Sequence, residues 1–284
     1  MSTSTSERPV TEIEERHALT EGEEEKVRER LKLRAPAVYA AVKEEGEAEL
    51  ERPTRSLFFS AIVAGVAMGF SILTLALIRD ALPDADWAPL LSSFGYAAGF
   101  LIVVLGRQQL FTENTITAVL PLTAHFGAET FGNLCRLWGT VLAGNWLGCV
   151  AVAAAFVAVP LVPDDVRLAV IDASRHYGQL SALDAFRLGI GAGFIVAAMV
   201  WMMPATENGE FLLITFAAWL IALGGFTHVI AGMVEIAALV MVGELSILHG
   251  LLTLALPTLA GNVIGGTALF TAFAYAQVKE EVHG

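Results

Sequence analysis

Gly224-Gly225-Phe226-Thr227-His228 interrupts a long apolar segment, with residues 211–223 before it and residues 229–242 after it. Paired glycines weaken a helix, and a histidine at membrane depth needs a polar partner or a water-filled cavity. We therefore expect a break in a membrane-spanning helix at this stretch, and a functional reason for the histidine.

A second apolar segment, residues 89–122, has the same design, with an interruption at residues 106–114. Both interruptions carry Phe-Thr followed by an ionisable residue, which is Glu113 in the first and His228 in the second. Packing alone does not call for either ionisable group. The two stretches predict two broken helices that meet at one transport site.

The composition is that of a membrane protein. Hydrophobic residues make up 55 % of the 284 residues, and the mean hydropathy is +0.63, which is too apolar for a soluble domain of this length. The net charge of -12 disfavours nucleic acid as a partner. No nucleotide-binding loop, metal-ligand cluster or nucleophile–base pair stands out, so we expect no cofactor, no metal and no enzymatic activity.

The expected fold is an all-α membrane protein with six transmembrane helices, of which the second and fifth are broken. Residues 1–55 read as a polar, partly disordered tail in which 23–51 could form a surface helix, residues 56–278 as the channel domain, and residues 279–284 as a C-terminal tail. A polar stretch, 164–184, connects the two halves. The six predicted spans are 56–78, 89–122, 137–159, 185–203, 211–242 and 251–276, the last with a kink at Pro257.

Both termini then lie on one side of the membrane. The positive-inside rule puts that side in the cytoplasm, although Arg167 and Arg175 in the connecting stretch count against this orientation. The basic residues that favour it are Lys43, Arg52, Arg55 and Lys279.

The two halves, about 56–160 and 183–278, resemble each other. Phe111-Thr112 matches Phe226-Thr227, and the Leu-Ala-Gly-Asn sequence at 142–145 matches the one at 259–262. Three spans per repeat is an odd number, so the second copy must be inverted relative to the first, which is typical of transporters and channels. We expect the glycines at 144, 148, 261 and 265 to allow close packing. Asn145 and Asn262 should tie each broken helix to its neighbour.

At these residues the chain resembles the formate/nitrite transporter family, and within it the YfdC-like branch. The resemblance covers about 56–276. It rests on Leu110-Phe111-Thr112, Gly144-Asn145, Gly225-Phe226-Thr227-His228 and Gly261-Asn262-Val263-Ile264-Gly265-Gly266. It implies an aquaporin-like fold, a homopentamer in the bilayer of the inner membrane, and one pore through each protomer.

The resemblance also implies the pore residues. His228 would be the central histidine and Thr112 the threonine of the first interruption, Leu110 and Ile221 would form the cytoplasmic-side constriction, and Tyr96 and Phe100 the other one. The remaining residues expected at the site are Phe111, Glu113, Phe226 and Thr227 in the pore, with Gly224, Gly225, Asn145 and Asn262 structural at the helix breaks.

Some positions depart from the formate channels. Gly193 and Gly232 stand where those channels carry asparagines, Tyr177 aligns near their vestibule lysine, and Glu113 adds a carboxylate. The first functional hypothesis is a pH-dependent channel or transporter for a small weak acid, such as formate, nitrite, acetate or hydrosulfide. The alternatives are a channel for neutral solutes such as water or ammonia, and a non-conducting scaffold or sensor.

The first hypothesis has a physical basis, because a dry apolar constriction strongly disfavours the charge of an anion. We expect His228 to give the anion a proton or a hydrogen bond, with Thr112 as its polar counterpart. Glu113 could face the pore or cap the half-helix near Asn114. Glu235, seven residues after His228, lies on roughly the same helical face and could relay protons or pair with Arg187.

Overall fold

The computed structural model describes residues 33–124, 126–159 and 161–282, and all regular structure among them is helical. Five of these helices are long and apolar enough to cross a membrane, and two are shorter but apolar. In chain order the helices are α1 (Ala35–Glu51), α2 (Thr54–Ala81), α3 (Ala88–Leu105), α4 (Leu120–Ala124), α5 (Ala128–Val157), α6 (Asp164–Gly178), α7 (Ala182–Ala205), α8 (Glu210–Leu223), α9 (Val229–Met241) and α10 (Ile247–Glu281).

Glycines let the long helices pack in two close pairs. In α2 against α5, a Cβ atom on Gly148 would overlap the backbone of Ile62. In α10 against α7, a Cβ atom on Gly265 would overlap the backbone of Ile190. Backbone-to-backbone contact of this kind is how membrane helices gain packing energy without a hydrophobic driving force. The predicted packing role is confirmed for Gly144, Gly148, Gly261 and Gly265.

Helix α10 passes Pro257 without ending. Its residues Gly250–Ala255 and Ile264–Thr271 are π-helical. Proline has no N–H for the helical ladder and its ring crowds the preceding turn, so a wider turn just before it accommodates the ring within one continuous helix. Thr271 donates to the carbonyl of Gly266 at 2.9 Å in the second π segment.

Helix α1 lies in the segment predicted as a polar tail, yet one of its faces is buried. Val38, Val42 and Leu50 belong to the core, and the Tyr39 and Thr123 hydroxyls lie 3.0 Å apart. Arg136 of α5 donates to the Leu50 carbonyl at 2.6 Å. Within the described residues the predicted surface helix is present as Ala35–Glu51. Its predicted first part, 23–32, and the expected disorder of the start of the tail lie outside the described residues.

Helix α6 occupies most of the predicted polar connection 164–184. It is amphipathic, and its buried face packs against α2 and α9. Arg175 donates to Glu244 at 2.8 and 2.9 Å, and this hydrogen bonding lowers the pKa of Glu244 below its usual range. The buried residues of α6 are Val170, Ile171, Ala173, Ser174 and Tyr177.

Candidate transport site

The second interruption turns the chain between α8 and α9. Gly225 has φ +63, a left-handed conformation that glycine adopts without steric cost. The amide of Phe226 donates to the Ile221 carbonyl at 3.0 Å and closes the end of α8. Asn262 of α10 holds the next residues, because its Oδ1 accepts from the Val229 amide at 2.9 Å and its Nδ2 donates to the Thr227 carbonyl at 2.9 Å.

The first interruption has the same backbone design. Arg107 has φ 53, and the amide of Gln108 donates to the Val103 carbonyl at 3.0 Å. Asn145 of α5 accepts from the Phe111 amide at 2.9 Å and donates to the Gln109 carbonyl at 2.8 Å. The expected role of Asn145 and Asn262, to tie each break to a neighbouring helix, agrees with these bonds.

These hydrogen bonds align the two interruptions differently from the sequence prediction. Gln109 and Thr227 occupy equivalent places, since the carbonyl of each accepts from the buried asparagine that holds its interruption. The Phe-Thr pairs are therefore offset by three residues, and Phe111 corresponds to Val229. The left-handed residue and the asparagine bonds determine how the two interruptions correspond. The two Phe-Thr pairs have the same residue types, but they lie at positions with different contacts.

Thr112 and His228 meet, as expected from the sequence. The Thr112 Oγ1 lies 2.7 Å from the His228 Nε2, and both side chains are buried. The other ring nitrogen, Nδ1, accepts from the Ala231 amide at 3.3 Å. Because a backbone amide can only donate, Nδ1 carries a lone pair, the proton sits on Nε2, and Nε2 donates to Thr112.

Aromatic rings lie on the His228 side of this hydrogen bond. The Phe100 ring is edge-on to the His228 ring with centroids 5.1 Å apart, and Tyr96 lies 5.6 Å from Phe100. Leu110 and Ile221, the predicted constriction residues, are fully buried.

Three of the predicted pore side chains make defined packing or hydrogen-bond contacts, and two of them, Phe226 and Thr227, also line the cavity that reaches His228. Phe111 packs edge-on against Trp138, with ring centroids 5.6 Å apart. The Thr227 hydroxyl donates to the Ala185 carbonyl at 2.7 Å. Phe226 fills the space over Gly191 and Gly224, where a Cβ atom would overlap its ring. These three residues therefore fix the helix breaks in place.

Two cavities approach the site from opposite ends of the helices. The His228 cavity, about 560 Å³, is lined by His228 together with Arg79 at the end of α2 and Pro89 at the start of α3. The Glu113 cavity, about 350 Å³, is lined by Glu113 together with Arg52, which precedes α2, and Val104 at the end of α3.

Each cavity is lined by an acidic side chain for which the structure gives no hydrogen bond or ion pair within the described residues. The Glu113 Oε1 is buried without a partner, and Glu113 makes no side-chain cap on the short helical turn that it begins. Glu235 lines the His228 cavity. The alternative that Glu235 pairs with Arg187 is wrong, because Arg187 binds Asp184.

Tyr177, which was predicted to align near the vestibule lysine of the formate channels, lines the His228 cavity. A Cβ atom on Gly232 would lie 2.7 Å from the Tyr177 ring, and the Tyr177 hydroxyl is 2.9 Å from the Thr258 hydroxyl. Gly193 has no room for a side chain either, since a Cβ atom there would overlap the Asn262 backbone carbonyl. Gly193 and Gly232, the two glycines that the resemblance placed at asparagine positions, are thus closed by close packing.

The family is settled by comparison with known proteins. The sequence profile described as "Formate/nitrite transporter" matches residues 36–276. The chain belongs to the formate/nitrite transporter family. Members of this family are transporters and channels rather than enzymes, and with its apolar helices the chain is a multi-pass membrane protein.

Two relatives and a solved structure give the range of similarity. The chain is 41% identical over 254 residues to the inner membrane protein YfdC of Escherichia coli, covering 89% of this chain and 82% of that protein. It is 24% identical over 249 residues to the formate channel FocA of Haemophilus influenzae, and the match covers 78% of this chain and 86% of FocA. A solved structure, a pentameric formate channel with formate bound, has a similar fold, with a TM-score of 0.70 and 22% identity. The match covers 80% of this chain and 98% of that channel's chain.

Proposed function

We propose that this chain is a membrane channel or transporter for small weak acids, such as formate, nitrite, acetate or hydrosulfide, with His228 as the histidine of its pore. The observation that carries the proposal is the buried Thr112–His228 hydrogen bond. This bond lies between cavities that open at opposite ends of the bundle, one lined by His228 and one by the neighbour of Thr112.

The proposed pore runs through six spans that form two inverted repeats, within a channel domain of residues 56–278. In this arrangement α8 and α9 make one broken span, and α3 with the residues up to α4 makes the other. The matching bonds of Asn145 and Asn262 support the repeat, because each asparagine also donates at 2.8 Å to the helix it packs against, at Ala61 or at Gly189.

Transport would proceed by hydrogen bonding at the narrow centre. The Nε2–H of His228 points to the Thr112 hydroxyl, so a solute can insert between the two groups and accept one hydrogen bond from each. The amino terminus of α9, which follows His228 directly, adds a partial positive charge that favours an anion at the approach. The low dielectric of the surrounding apolar groups favours passage of the solute in its neutral form.

The proposed assembly is a homopentamer in the inner membrane with both termini in the cytoplasm. The name of the pentameric formate channel and that of the Escherichia coli relative support the assembly and the membrane. Exposed aromatic side chains on the spans fit contacts with lipid or with a second protomer. They include Phe59, Phe211, Phe216 and Phe273.

A second candidate function is a channel for neutral solutes such as water or ammonia. The charges around the cavities favour it, because the arginines that line them are each paired with an acidic side chain and so offer an anion little attraction. The pairs are Arg79 with Asp172, Arg52 with Glu49 and Arg107 with Glu45. Under this alternative the His228–Thr112 pair would offer hydrogen bonds to a solute that never carries charge.

The test uses purified protein in liposomes. Internal pH and light scattering are followed after rapid mixing with formate, nitrite, acetate, hydrosulfide, ammonium or glycerol, each at two pH values, beside protein-free liposomes. Protein-dependent flux of weak acids that rises at the lower pH supports the proposal. Flux of ammonia or glycerol alone would support the second candidate and reject the first.

A further inference from the structure

Glu235 lies in the His228 cavity about two helical turns beyond His228. Seven residues of α-helix span about 10 Å along the axis, so the carboxylate does not touch the imidazole. The side chain is half-buried on α9, and no ion pair or hydrogen bond to it is present in the described part of the chain. A solute that enters this cavity meets Glu235 before it reaches the Thr112–His228 pair.

No cation that lines this cavity neutralises Glu235. Arg79 is 3.7 Å from Asp172, and nearby Arg175 on α6 binds Glu244. Tyr96 from α3 and Tyr177 from α6 face the same space. The full set of other titratable or charged residues lining the cavity is Arg79, Asp84, Tyr96, His176, Tyr177 and His228.

His228 is poorly arranged to deliver a proton in this conformation. Its Nε2 proton is engaged with Thr112, and its Nδ1 is the acceptor for the Ala231 amide. If Nε2 gave up its proton, Nδ1 would have to take one, and the amide of Ala231 would then face a second donor. The hydrogen bonds therefore fit His228 as a hydrogen-bond donor, and leave the source of a proton to another group.

We propose that Glu235, and not His228, is the group that exchanges a proton with the transported carboxylic acid. This inference rests on the proposed weak-acid transport. A carboxylic acid suits the task because donor and substrate carry the same functional group, so the proton moves between them with little change in free energy.

A hydronium ion in the His228 cavity gives its proton to the Glu235 carboxylate and leaves as water. The O–H bond of Glu235 then breaks as an O–H bond forms on the substrate carboxylate, and the neutral acid passes His228. In the Glu113 cavity the acid loses its proton to the Glu113 carboxylate, and from there to water. One anion and one proton cross together, and Glu235 returns to its carboxylate form.

The test compares wild type with Glu235→Gln, which keeps the size and hydrogen-bonding capacity but cannot exchange a proton. Glu235→Asp retains the carboxyl group, and Glu207→Gln removes an exposed carboxylate outside both cavities. Formate uptake into proteoliposomes is measured against pH for each protein. Formamide, an uncharged solute of the same size as formic acid, is measured in parallel as the readout of an intact pore.

We expect Glu235→Gln to lower protein-dependent formate uptake about tenfold or more and to flatten its pH dependence, with formamide flux unchanged. Glu235→Asp should recover much of the uptake, and Glu207→Gln should behave as wild type. Formate uptake and pH dependence in Glu235→Gln equal to wild type would overturn the inference and leave the proposed function standing. A parallel loss of formate and formamide flux in both Glu235 variants would also overturn it, since that indicates a structural role. Wild type that passes formamide but no weak acid rejects the proposed function and the inference together.

Discussion

Replacing Asn262 by leucine tests the hydrogen bonds that hold the second interruption. The Asn262 side chain is fully buried and makes three bonds, to the Val229 amide at 2.9 Å, the Gly189 carbonyl at 2.8 Å and the Thr227 carbonyl at 2.9 Å. Leucine has a similar size and can make none of them. The loss of these three bonds should lower the free energy of unfolding by about 2–5 kcal/mol. The lower value takes the average measured for hydrogen bonds inside membranes, and the higher value adds the cost of leaving buried partner groups unpaired.

The assay is equilibrium unfolding of the purified protein by SDS in mixed micelles, followed by circular dichroism. Asn145→Leu should lose a similar amount, because Asn145 makes the matching three bonds. Asn133→Leu is the control on the same helix, since Asn133 has no hydrogen bond among the described side chains. Loss of less than about 0.5 kcal/mol in both Asn262→Leu and Asn145→Leu, the range of neutral substitutions, would refute the reasoning.

Three further predictions concern packing and pH. Gly193→Ala should prevent correct folding, judged by size-exclusion chromatography, because the Asn262 carbonyl occupies the place of the new methyl group, whereas Gly139→Ala, with open space around it, should fold normally. Gly232→Asn should destabilise the protein through its clash with Tyr177. The double variant Gly232→Asn/Tyr177→Lys should lose less stability in thermal unfolding than the sum of the two single variants, and strictly additive losses would contradict the contact. Arg175 lowers the pKa of Glu244, so the stabilisation from this pair should be present above the usual carboxyl pKa and lost as the pH falls through the lowered value. The difference in melting temperature between wild type and Glu244→Gln should therefore shrink on acidification. A difference that does not change with pH would contradict this prediction.

The polar residues inside apolar segments allowed much of the site to be predicted. Asn145, Asn262, Thr112 and His228 stand out because a buried polar group needs a partner, and the structure pairs each of them within the described residues. The long apolar helices follow from their length and composition alone.

The parts that sequence missed depend on backbone conformation and on tertiary contacts. Arg107 takes a left-handed conformation that Gly225 takes in the other interruption, so residue identity does not show that the two positions correspond. Helices α1 and α6 looked polar because each buries only one face, and their partners lie far away along the chain. Tyr177 fills the space over Gly232, a contact that no local pattern encodes.

The most direct test of the central claim is the initial rate of formate-driven acidification of liposomes containing wild type or His228→Phe, at two pH values. The variant keeps an aromatic ring against Phe100 but has no N–H for the solute or for Thr112. We predict that wild-type flux rises as the pH falls and that the variant loses at least about tenfold at both pH values. Formate flux in His228→Phe that equals wild type, with the same pH dependence, would contradict a pore built around this histidine.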